Sequence, residues 1–309
     1  MLKSSTSVND TFTALDFVFK QEYDKEKEME VGLAVANDPL VFKQKTADSA
    51  RVVSEVFGGG GLFTQRANEE AELPQANRRS TNNRSLTVLE FDQAVSIPKN
   101  FADDDQHELV AGNLTEMAYA ARESADDYNL DRYALGFTTV TANSGTAYYS
   151  NSHTAIDGTT VDNLNTGTMS AANLETLLVL LGRQKNESGT LGHFHAKLLL
   201  VPYNLIKEAC EVVDSDYLSG TGNNNTNYLS KKYPGLEVKF SAVLDDTSTT
   251  AYFLASSRHS MSRYVRESLK TNYIDWSISK AKVGSYQAWF REVTAPLSYA
   301  GAAASDGTV

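Results

Sequence analysis

The stretch from Ser170 to Asp214 leaves the fewest choices for folding. Leu174, Leu177, Leu178 and Leu181 recur at i, i+3, i+4 and i+7, the spacing of a helix with one face turned to a core. Ser170 stands where a side-chain cap would open that helix, and Ser188-Gly189 is the expected stop. Ala196–Val201 (AKLLLV) is apolar almost without interruption and has the length of a strand covered on both faces. Pro202 suits the first position of a second helix, whose inner face would be Leu205, Ala209, Val212 and Val213. Helix, covered strand and helix in close succession predict a mixed sheet flanked by helices.

The N-terminal side of this core reads as extensions. Residues 1–44 contain one short helix, marked by Phe12, Leu15, Phe19 and Tyr23, then a charged run and the extended NDPLVFKQK. So much apolar surface on so short a segment must lie against something, either its own domain or a neighbour. Val52, Val53, Val56 and Phe57 lead into Gly58-Gly59-Gly60-Gly61. No Gly-Lys-Ser or Gly-Lys-Thr follows, so this is a hinge or bulged strand edge and not a phosphate loop. Some twenty polar residues without periodicity come next, about the length at which a loop is expected to be functional or disordered. Two strands are predicted over Thr87–Phe91 and Ala94–Ile97, stopped by Pro98. A long helix is predicted over 101–133, with Asp103, Asp104 and Asp105 at its start, where the dipole favours negative charge. Leu114, Met117, Ala118, Ala121 and Ala125 form its narrow inner stripe, and Glu123, Asp126, Asp127 and Asp131 its solvated side.

On the C-terminal side the pattern is weaker. Gly136–Tyr149 has strand composition around an Asn143-Ser144-Gly145 turn, and 150–169 and 219–227 read as loops. Glu237–Phe240 and Ala251–Ala255 are expected to be neighbouring strands joined through Asp245-Asp246. Tyr273–Ser279 alternates Ile274, Trp276 and Ile278 with polar residues, as a half-exposed antiparallel strand would, and Gln287–Val293 could pair with it. The tail AGAAASDGTV offers little to pack.

No chemistry-bearing constellation emerges. Net charge is −11, with 28 scattered basic residues against 39 acidic ones, which argues against a dedicated nucleic-acid binder. No run nears the ~18 apolar residues of a membrane span, and the N-terminus lacks a secretory pattern. Cys210, the single cysteine, falls on an apolar helix face. His193 and His195 would point the same way in a strand, but no acidic partner stands at a diagnostic spacing. Consecutive aspartates at 103–105 do not converge on one point of a helix, and Ser152-His153 lacks the Gly-x-Ser-x-Gly elbow. Asn224-Asn225-Thr226 matches a glycosylation acceptor and carries no weight without a secretory signal. No catalytic, cofactor or metal role is assigned.

Four motifs in order do carry a resemblance: the 103–133 helix entered through FADDDQ, Tyr148-Tyr149-Ser150-x-Ser152-His153, Gly158-Thr159-Thr160-x-Asp162-Asn163-Leu164 ahead of Met169–Leu174, and Lys197–Pro202 with its helix. Together they resemble tailed-phage major capsid proteins of the HK97-like fold, nearest to the Mu-like major head subunit type, over roughly 95–215. The resemblance implies an α+β subunit in four parts: an N-terminal arm (1–44), an extended β-hairpin E-loop (45–98), a P-domain with a long spine helix (99–149 and 262–300), and an A-domain of mixed sheet flanked by helices (150–261), with 301–309 as a C-terminal tail. It implies self-assembly into hexamers and pentamers of a phage head around double-stranded DNA, assembled in the host cytoplasm. Portal, scaffolding and cement proteins would be partners. No long scaffolding segment precedes residue 40, so scaffolding is expected from another protein. The expected subunit-interface residues are Phe12, Phe19, Gly58, Gly59, Gly60, Gly61, Leu62, Phe63, Arg66, Arg78, Arg79 and Arg84. An encapsulin-like compartment would share the fold, and a hydrolase or binding protein is the rival from another class.

Overall fold

The computed structural model describes residues 8–24, 38–59, 78–100, 107–217, 226–275 and 282–308. Its centre is a five-stranded sheet in the order β7 (Leu164–Asn165), β13 (Ala302–Ser305), β10 (Tyr252–Ser256), β8 (Ala196–Pro202), β9 (Glu237–Ser241). β8 runs antiparallel to β10 and parallel to β9, and β13 is antiparallel to β10 and parallel to β7, so the sheet is mixed. Alternation along the buried strands feeds two cores. Leu199, Val201, Tyr252, Leu254 and Ala303 face a helical layer; Leu198, Leu200, Phe253, Ala302 and Ala304 face the opposite one.

The helical layer is built from the opening motif. Helix Ala171–Arg183 buries Leu174, Leu177, Leu178 and Leu181, and the Ser170 side chain accepts from the Asn173 amide at its start. Each of these leucines contributes about 1.5–3 kcal/mol by leaving water. Helix Ile206–Val213, entered through a 3-10 turn after Pro202, buries Ala209 and Val213, with Leu205 and Val212 packed beside them. On the opposite face sit Tyr133, Tyr149, Phe137 and Phe42 around Phe253, with ring centroids 5.6–5.7 Å from it where they touch directly.

A second sheet has the order β1 (Lys43–Thr46), β11 (Met261–Ile274), β12 (Val283–Pro296), β4 (Leu89–Pro98). Across it lie α1 (Val8–Tyr23) and α2 (His107–Ala134). The helices close on Phe19, Leu114, Met117, Ala118, Ile97 and Tyr286. A buried polar lock ties α2 to the sheet. Arg263 donates from Nε to Glu292 at 2.8 Å and is ion-paired with it, Asn129 donates to the other carboxylate oxygen at 2.8 Å, and Thr294 donates to Asn129 at 2.5 Å. A third unit is the hairpin of β2 (Arg51–Gly59) and β3 (Arg78–Thr87), which among the described residues pair with no other strand; β5 (His153–Thr154) and β6 (Thr160–Val161) form a separate short ribbon.

Several sequence expectations need correction. The polar residues 78–85 are strand, because pairing with β2 satisfies their backbone whatever their side chains. Gly136–Tyr149 is not strand: after a 3-10 turn it is irregular and buried by its aromatics, with a single bridge between Thr141 and Ala147. The helix from Ala171 ends at Arg183, and Ser188-Gly189 turns a short hairpin closed by the Lys185–Leu191 bridge. Asp245-Asp246 lies in a helix (Val243–Thr247), so β9 and β10 flank β8 and are not neighbours. The late strand begins at Met261 and ends at Ile274, with residues 276–281 outside the described set; Tyr273 pairs with Tyr286 of β12. Asp126 is 4% exposed and is not part of the solvated side of α2. The alanine-rich tail is the largest surprise. β13 is fully buried in the centre of the main sheet, where small side chains are what two flanking layers leave room for. Strand β4 belongs to the second sheet, so the free hairpin comprises β2 and β3 alone. The aspartates at 103–105 lie outside the described residues.

Candidate assembly surfaces

The arm helix α1 is half committed to its own subunit. Phe19 is wholly buried, 5.7 Å from the Tyr286 ring and stacked on Tyr23; Phe12 is half-buried, 6.2 Å from Tyr286. Asp16 pins the helix by accepting from Thr271 Oγ1 at 2.6 Å and Tyr286 OH at 3.0 Å, with Lys20 at 2.7 Å. Burial raises its pKa, but these three donors outweigh that and hold the carboxyl below its ordinary range. Phe19 therefore has no surface left for a neighbour. The aromatic that α1 does present outward is Phe17, 67% exposed, which the sequence reading passed over because it lies off the i, i+3, i+4 stripe.

Among the described residues the hairpin is anchored at its base. Val52, Leu86 and Val88 pack on Tyr264, Val293 and Ala295, and Arg84 donates to the Thr141 carbonyl of its own subunit. Burial lowers the Arg84 pKa. Within the base Val53 lies on the face opposite Val52 and is 63% exposed, and beyond it the ladder continues through a bulge at Ser54/Val56 to Gly58↔Arg79 and Gly59↔Arg78. Gly60, Gly61, Leu62, Phe63 and Arg66 lie outside the described residues.

Along the outer face of α2, Glu116, Tyr119, Glu123 and Asp127 are exposed in succession, with Asp131 beside Asp246 of the Val243–Thr247 helix at one end. Burial and then the like charges of Asp131, Asp246 and Glu123 raise the Asp127 pKa. Beneath the helix, against β4, runs an open groove of about 460 Å³ lined by Phe91, Met117, Ala121 and Phe290 among others. Tyr203, directly after β8, and Tyr217 and Tyr228 are exposed. Asn227 ties its segment to the end of helix Ile206–Val213, donating to the carbonyls of Val212 and Ser215 at 2.7 and 2.8 Å and accepting from the Leu229 amide.

Nothing in these surfaces resembles a reaction centre. His193 and His195 are exposed; His193 has φ +49° and His195 stacks on Tyr233. The Cys210 thiol is half-buried, its pKa raised by burial and by Asp214, which suppresses the thiolate. Among the described residues no three His, Cys, Asp or Glu side chains converge as metal ligands, and no helix is long and apolar enough to cross a membrane.

A sequence profile of the phage capsid protein family matches residues 86–297, more than half of the chain. The chain belongs to that family. This phage capsid protein also shares its fold with solved shell subunits. The capsid protein of Myoviridae phage XM1 is 14% identical, with 92% of this chain and 94% of that one covered at a TM-score of 0.54. A solved structure from Mycobacterium phage Adephagia is 12% identical, with 99% of both chains covered at 0.54. A virus-like particle from Pyrococcus furiosus matches at 6% identity, 96% and 99% coverage and 0.54. No curated protein sequence matches. The phage capsid protein is thus a structural major capsid protein of the HK97-like α+β fold, and it resides in the virion as part of a homo-oligomeric shell.

Proposed function

We propose that the capsid protein closes into hexamers and pentamers of an icosahedral or prolate head around double-stranded DNA, through contacts that complete each subunit's hairpin on a neighbour. The observation that supports this is the isolation of β2 and β3. Two strands alone are marginal in water, yet β2, nine residues long, pairs with β3 alone among the described residues and leaves Val53 uncovered. A neighbouring copy supplies the missing face, and closed symmetry lets every copy give and receive the same contact. We assign the acidic face of α2 on the neighbour as the receiving surface, because β3 carries Arg78 and Arg79 and the chain's surplus is negative. Phe17 and the exposed Tyr203, Tyr217 and Tyr228 are the further contact residues.

In this reading the subunit divides into an arm over residues 1–44 whose end pairs onto the second sheet as β1, the β2–β3 hairpin as E-loop, a P-domain containing α2 and the strands β4, β11 and β12, and an A-domain built on the five-stranded sheet that also takes in β13. Scaffolding, portal and cement proteins are separate partners. An acidic shell lets the genome be packed without adhering to its wall. The test is negative-stain microscopy of the purified full chain, alone and co-produced with the scaffolding and portal proteins of the same phage. Rings of five and six or closed shells are expected. Particles that remain monodisperse monomers under both conditions overturn the reading. Shells that form from this chain alone and enclose a protein cargo would instead favour an encapsulin-like compartment.

A further inference from the structure

The two sheets meet at a pair of chain crossovers. One, 257–260, leads from β10 to β11; the other, 297–301, leads from β12 to β13. They are bonded to each other. Ser256 N donates to Gly301 O at 2.9 Å, Ser298 N to Ser260 Oγ at 3.1 Å, and Ser260 Oγ to Ser298 O. Gly301 has φ +83°, and a Cβ there would stand 3.0 Å from His259 Cα, so the packing admits only glycine. Into this junction the root of the arm is plugged. Val41 and Phe42 are fully buried, Phe42 lies 5.6 Å edge-on to Tyr133, Tyr133 OH donates to Val41 O, and Asp38 is ion-paired with Lys239 of β9.

His259 sits under that plug and is 1% exposed, yet neither ring nitrogen has a hydrogen-bond partner. Its counterpart His153, also buried, is bonded through Nε2 to Tyr148 O at 3.2 Å and stacked on Tyr299. Around His259 the Lys43 ammonium of β1 opposes a positive ring, and the Leu40 carbonyl favours one without being aligned to bond it. Arg258 on the same crossover and Lys45 add further positive charge near Lys43. Other titratable groups at the junction are Tyr148, Tyr133, Asp38, which is engaged by Lys239, and Glu187, which accepts from Ser298 Oγ at 2.6 Å and whose pKa burial raises.

We infer that His259 is an acid-sensitive latch for the arm root: neutral, it lets residues 38–46 seat between the two sheets, and protonated, it expels them. Among the described residues the carboxylates at the junction, Asp38 and Glu187, are bonded to Lys239 and Ser298 and do not act on the ring, so a buried imidazolium beside Lys43 goes unbalanced, and the way to hydrate it is to lift the segment that covers it. The sign follows from the direction of the shift. Burial, then Lys43, depress the ring's pKa from 6.5 to about 4 in the seated state. The unseated state binds the proton more readily, so seating is at full strength above about pH 6.5 and weakens as pH falls toward 4.

Hydrogen exchange on the full-length soluble chain, with protection corrected for the intrinsic pH dependence, tests this without requiring assembly. Between pH 7 and 4.5 the amides of 41–46 are expected to lose protection more than tenfold relative to those of β10, with an upper bound on the order of 100-fold because pH 4.5 lies about two pH units below the ordinary imidazole value of 6.5. His259→Gln and His259→Leu are expected to abolish that pH dependence, whereas Asp38→Asn loosens the segment at every pH. If the wild-type segment keeps pace with β10, or if both His259 variants lose protection in parallel with the wild type, the inference is wrong. Should His259→Leu fail to fold, the Gln variant decides alone.

Discussion

The central sheet and the β2–β3 hairpin are made of the same kind of element and have opposite fates. In the central sheet β13, β10 and β8 are covered on both faces, and even a strand reading AAAS is held without exposure by the layers above and below. In the hairpin the backbone ladder runs through a bulge as far as Gly59↔Arg78, while Val53 is left uncovered within the subunit. Backbone pairing alone therefore does not tell a finished element from one awaiting a partner; the covering of side chains does. A capsid subunit needs both kinds, one to exist as a fold and one to join the shell.

The contrast can be broken most sharply at the polar lock beneath α2. Glu292→Ala strands Arg263 in a buried site, and a loss of about 3–5 kcal/mol in denaturant-melt stability is expected. A loss below 1 kcal/mol would mean that the sheet–helix junction is open to water. Overpacking the central sheet comes next. Ala303→Leu is expected to cost about 1–3 kcal/mol, while Val53→Ala in the hairpin shifts subunit stability by less than about 0.5 kcal/mol. Equal effects at the two positions would erase the distinction drawn above.

Charge reversal in the hairpin is the complementary case. Arg78→Glu with Arg79→Glu should leave the subunit's melting unchanged yet reduce assembly yield by sedimentation, and Glu116→Arg with Glu123→Arg should restore part of it. Single exposed pairs are worth ~0.2–1 kcal/mol, so the effect arises from repetition around the shell and should diminish with added salt. Reversal without consequence would show that the hairpin docks elsewhere.

The arm helix stands between the two regimes, bonded on one face and bare on the other. Phe17→Ala is expected to weaken assembly while moving subunit stability by no more than about 0.5 kcal/mol. Asp16 should make docking of α1 pH-dependent in a small way. Its carboxyl pKa is depressed in the folded state, so its contribution is present above the ordinary carboxylate range and is lost as pH falls through that range. Asp16→Asn should flatten the dependence of α1 amide protection on pH between 5 and 3; an unchanged slope would mean that another carboxylate is responsible.

Much of the candidate surface was legible only as position. The hairpin arginines could be named because a polar, aperiodic stretch of that length is expected to serve a partner. Phe17 and the acidic face of α2 could not, since exposure is decided by which helical face the rest of the molecule covers. Phe19 and Arg84 show the converse. Both fit a sequence pattern for an interface, and both are engaged within their own subunit.

What the sequence determined by itself is the helix–strand–helix core from Ser170 to Asp214. Periodic leucines, a capping serine and an apolar run of strand length each carry a local signal strong enough to stand without context. Only the tertiary structure decided that residues 78–85 are strand, that 136–149 is not, and that the alanine tail closes the central sheet. The reason is physical. Small or polar side chains have almost no intrinsic preference for burial, so their place is set by the space and the backbone partners that distant segments leave them.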